Sequence, residues 1–181
     1  MEAFSLEADH LNRKWCERSR GMTEIEFSSY DLNSPRDRRT LLLKILPNRE
    51  VVKKYHPELL DLFRREMRYR TEDNSAEECD YFEHLYWCGL LLYLVGDPAD
   101  VPVMWEAKHI NMDTGCGFDG QFLVGGGVEE TIKYLEERGQ KAPADYLKEL
   151  KACKELDDLQ GWERFRIHYF YPDYHWQENA S

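Results

Sequence analysis

Ionisable and polar side chains of several kinds gather between Trp105 and Gln121: Glu106, Lys108, His109, Asn111, Asp113, Thr114, Cys116 and Asp119. His109, Asp113 and Cys116 offer nitrogen, oxygen and sulfur donors to a metal. Alternatively, Cys116 could act as a nucleophile with His109 as its base. Neither spacing matches a recognised signature. A structural loop, with Asp113 and Asp119 capping short turns through their carboxylates, accounts for the same residues. Were the chain an enzyme, its site would fall on Glu106, His109, Asp113, Cys116 and Asp119. The expectation is the structural loop, with no catalytic residue, metal or cofactor.

Two other groupings invite chemistry. His84 and Cys88 stand four apart and would share one face of a helix, which is half of a metal site. No second pair lies nearby in sequence, so a packed histidine donating a hydrogen bond is the simpler reading. Gly125, Gly126 and Gly127 precede a helix, where backbone N–H groups can cradle an anion. The loop lacks the Lys-Ser/Thr ending of a nucleotide-binding P-loop, and Glu129 and Glu130 would repel phosphate. Close packing of helices explains the glycines better.

The elements that must position these residues are helical. Pro35 can open a helix that runs through Arg38 to Leu46 and is closed by Pro47, since proline cannot donate the next backbone bond. Pro57 starts another, where Leu59, Leu60, Phe63 and Met67 form one apolar stripe and Arg64, Arg65, Arg68 and Arg70 lie off it. Residues 77–95 make the most apolar helix, its large side chains wrapping most of the circumference, which predicts a central, buried position. Gly96 ends it. Asp97 then caps a helix with Pro98 at its first position and Asp100 in its first turn.

Six of the eleven glycines fall within 111–127, so irregular backbone or a short helix is expected there. Val128, Ile132 and Leu135 mark a helix closed by Gly139, with Glu129 and Lys133 as an i,i+4 pair. Tyr146, Leu147, Leu150 and Cys153 mark a further one. Near the C-terminus, Phe165, Ile167, Tyr169 and Tyr171 alternate with Arg164, Arg166 and His168, which predicts a strand. Glu24 to Tyr30 could pair with it.

Charge is divided along the chain. Residues 1–70 carry 15 bases and 12 acids, whereas residues 71–160 carry 7 bases and 20 acids, within a net charge of −11. Such a field disfavours nucleic acid and anionic lipid and favours a basic protein partner. The arginines at 36, 38, 39 and 64–70 balance the acidic half. The five cysteines are odd in number and contain no Cys-x-x-Cys pair, so reduced, packed thiols are expected. Met1 to Leu11 holds acids where a signal peptide would hold bases, and the longest apolar run, Leu90 to Val95, is too short to span a bilayer. A cytoplasmic location is the expectation.

The stretch Leu91-Leu-Tyr-Leu-Val-Gly-Asp-Pro-Ala-Asp-Val-Pro-Val-Met-Trp-Glu-Ala-Lys108 resembles the inter-helix turn of HEAT-like repeats. Gly125-Gly-Gly-Val-Glu-Glu-Thr-Ile-Lys-Tyr-Leu-Glu-Glu-Arg-Gly139 is similar to an ankyrin-type second helix and its exit. Together they cover about a fifth of the chain and do not recur at a fixed period. The resemblance implies stacked helical hairpins and a protein-binding scaffold, and the size and charge suit an immunity-type inhibitor of a basic bacterial toxin.

These readings predict one mostly α domain over residues 1–181: α-solenoid-like stacked hairpins with a small β addition near the C-terminus. The function expected is protein binding, with Glu129, Glu130, Glu136 and Glu137 steering the partner and Trp162 and Trp176 as aromatic anchors. An enzyme or a structural oligomer subunit are the alternatives.

Overall fold

Proline-marked and glycine-marked corners set several helix boundaries in the structure, a computed structural model that describes residues 24–72 and 81–174. Helix α1 spans Pro35–Lys44, with Ser34 accepting from Asp37 N as its cap. The short α2, Arg49–Lys54, starts where the Asn48 side chain accepts from Glu50 N and Val51 N. Helix α3 covers His56–Thr71 and α4 covers His84–Val95. Asp97 accepts from Ala99 N to open a 3-10 turn, Pro98–Asp100, that runs into α5, Val101–Lys108. Helix α6 is Met112–Gly117, followed by a 3-10 segment at Gly120–Val124. Helices α7 (Val128–Glu137), α8 (Lys141–Ala152) and α9 (Leu159–Phe170) complete the described chain.

The class is all-α: nine α-helices and no strand occur among the described residues. The strand expected over 164–171 is instead α9, and Glu24–Tyr30 holds only a 3-10 turn at Phe27–Ser29. The reason lies in which side chains go inside. Glu163, Ile167 and Phe170 are buried, at helical spacing, while Phe165 and Tyr169 are exposed. The alternation treated those two aromatics as core. The β addition is therefore absent from this part of the molecule. The short α2 was not foreseen either.

Helix α4 is the centre. Eleven of its twelve residues are buried, Tyr86 alone excepted, and α1, α2, α3, the 120–124 segment and α9 all pack against it. This agrees with its all-round apolar sequence. Helices α3 and α4 form one hairpin, the end of α3 at Arg70 meeting Tyr86 in the first turn of α4. Helices α7 and α8 form another, antiparallel because Glu129 pairs with Lys151 while Glu136 pairs with Lys148. Burying Leu85, Leu90, Leu91, Phe63, Phe118 and Phe122 stabilises the assembly by roughly 1.5–3 kcal/mol per side chain.

Close approach explains the glycine-rich corner. Gly96 ends α4 in the left-handed region at φ +75°, where a side chain would strain the backbone. Directly beside it, a Cβ on Gly125 would collide with the Tyr93 carbonyl, and one on Gly126 with the Gly96 carbonyl. The glycines let the 125–126 turn lie flat on the end of α4, so the packing explanation holds.

Candidate functional site

Four polar residues of the 105–121 segment, Lys108, His109, Asn111 and Thr114, are held by hydrogen bonds within it. Asn111 and Thr114 form a reciprocal capping box at the start of α6. Lys108 reaches across to donate to the Gly115 and Phe118 carbonyls at 2.7 and 2.8 Å. Desolvation lowers its pKa, opposed by the Asp119 and Cys116 charges. His109 Nδ1 donates to the Trp105 carbonyl at 2.8 Å and its ring lies 4.1 Å from that of Trp105. Gln121 donates to the Glu155 carbonyl. Glu106, Asp113 and Cys116 are exposed. Among the described residues, no group of three or more His, Cys, Asp or Glu side chains is arranged to hold a metal.

Asp119 does not cap a turn with its side chain. It accepts from Trp162 Nε1 at 2.7 Å, from Arg166 Nε at 2.7 Å and from Arg166 Nη2. One carboxylate thus fastens α9 to the loop after α6. Trp162, expected as a partner anchor, is half-buried here, edge-on to Tyr93 and Phe122 with ring centroids 5.0 and 4.9 Å away. Trp176 lies outside the described residues, as do Cys16 and Cys79.

Three of the four acids on α7 have lysine partners. Glu129 pairs with Lys151, Glu136 with Lys148 at 2.6 Å, and Glu137 with Lys133 at 3.9 Å. The expected Glu129–Lys133 pair is replaced by bonds across the α7–α8 hairpin. Glu130 is exposed in the first turn of α7, at the positive end of its dipole.

A different polar cluster lies inside the molecule, unannounced by sequence spacing. Arg38 on α1 donates through Nε to Glu66 on α3 at 2.5 Å, and through Nη1 to the Leu32 and Asn33 carbonyls. His84, opening α4, brings Nδ1 to 3.5 Å from the same Glu66 oxygen. Arg38, Glu66 and His84 are 3%, 1% and 3% exposed. Arg38 Nη2 and both His84 ring nitrogens make no hydrogen bond. The predicted donation by His84 to backbone or side chain is thus not made. Cys88, one turn on, is fully buried, and that burial pushes its thiol well above its usual range, with the Glu66 charge adding to the effect. Glu66 supplies the third ligand type that His84 and Cys88 lacked, but the Arg38 guanidinium already neutralises it and would repel a cation.

On the far side, His56 at the start of α3 meets the buried Asp100 at 2.7 Å, tying α3 to the turn before α5. Burial raises the Asp100 pKa, with the His56 charge opposing. No helix among the described residues is long and apolar enough to cross a membrane. No family model, curated protein or solved structure matches the chain at a significant level.

Proposed function

We propose that the chain is a non-enzymatic protein-binding module, an immunity-type inhibitor whose partner is a basic protein. The observation that carries this reading is charge: residues 97–137 hold nine acids against two bases. Both bases are occupied, Lys108 by backbone carbonyls and Lys133 by Glu137. Glu106, Asp113 and Glu130 are exposed and make no ion pair among the described residues. They complement a basic surface with little desolvation cost and steer its approach. Glu129, Glu136 and Glu137 contribute to the same field through lysine-shared charges. Lys108, Asn111 and Thr114 are engaged in caps and carbonyl contacts, which agrees with a scaffold.

The test compares the wild type with the combined variant Glu106→Lys, Asp113→Lys, Glu130→Lys in pull-downs from the source cell. The wild type should retain a basic protein at low salt and release it as salt rises, and the variant should retain none. A wild type that holds no protein, or a variant that holds the same one equally well, removes the proposal.

A further inference from the structure

We draw no further inference here: the strongest candidate, the exposed aromatic patch that Phe165 and Tyr169 of α9 form beside Glu83 at the start of α4, is bordered by exposed charges of both signs, and nothing in the structure shows what covers it.

Discussion

Two carboxylates organise this molecule, and they do so under opposite conditions. Glu66 is sealed between α1, α3 and α4, with Arg38 beside it and both side chains nearly without solvent contact. Asp119 sits at the rim, holding Arg166 and Trp162 with about a fifth of its side chain exposed. The rim carboxylate has all of its donors well placed. The interior one leaves Arg38 Nη2 and both His84 nitrogens without hydrogen bonds. Ion pairing alone therefore does not measure stability. In the interior, attraction must offset the desolvation of both charges, whereas at the rim water shares that burden.

Breaking the interior pair is the most severe test of this contrast. Glu66→Gln, or Arg38→Met alone, leaves a buried charge or donor unmatched and should cost about 3–5 kcal/mol in urea unfolding. Replacing both, as Arg38→Met with Glu66→Leu, should recover most of that loss, since the desolvation penalty disappears together with the attraction. A double variant no better than the singles would mean that the pair contributes net stability.

The rim pair should be gentler. Asp119→Ala removes the acceptor for Trp162 and Arg166 at once and should cost about 1–3 kcal/mol, detected as a lower urea midpoint. Asp119→Asn, which keeps an acceptor for the Trp162 N–H, should lie between the alanine variant and the wild type. If Asp119→Ala costs as much as Glu66→Gln, burial is not what separates the two sites.

The sequence exposes its corners and hides its long-range pairs, for a physical reason. Ser34-Pro35, Gly96, Asp97-Pro98 and Gly139 act through local backbone geometry, so helix ends were legible, and the all-round apolar 84–95 stretch announced the central helix. Arg38, Glu66 and His84 are 28 and 18 positions apart, and no periodic signal joins them. Spacing pairs His84 with Cys88, since four residues bring side chains to one face, yet the group that meets His84 belongs to another helix. The neighbours of Asp119 suggest a turn cap, while its partners lie 43 and 47 residues away. The alternation over 164–171 suggests a strand because Phe165 and Tyr169 look like core, and both are surface residues of α9.

A pH experiment sharpens the contrast between interior and rim through a third group. Tyr93 on α4 is packed against Trp162, and burial, helped by the Glu163 charge, pushes its pKa from 10 to about 12 while Arg49 opposes. The folded state therefore keeps its proton where the unfolded chain loses it. Stability is intact below pH 10 and falls as pH rises from 10 toward 12. Tyr171, buried beside Trp87, is shifted in the same direction. Tyr93→Phe should flatten the alkaline decline in urea midpoints without removing it, because Tyr171 remains. An unchanged profile would place the Tyr93 hydroxyl in a wetter setting than its neighbours suggest.

The smallest effect belongs to the α7–α8 hairpin, where Glu129 meets Lys151 and Glu136 meets Lys148 on a surface about half exposed at every member. Lys151→Gln or Lys148→Gln should leave the urea midpoint almost where it is, and shift it less still in high salt. Either change also leaves an α7 glutamate without its lysine, so it should strengthen the attraction for a basic partner even as the fold stays put. Binding and stability then respond in different proportions to one substitution. A loss near that of Asp119→Ala would instead make these pairs structural ties, and the acidic region would owe its charge to residues held for folding rather than presented to a partner.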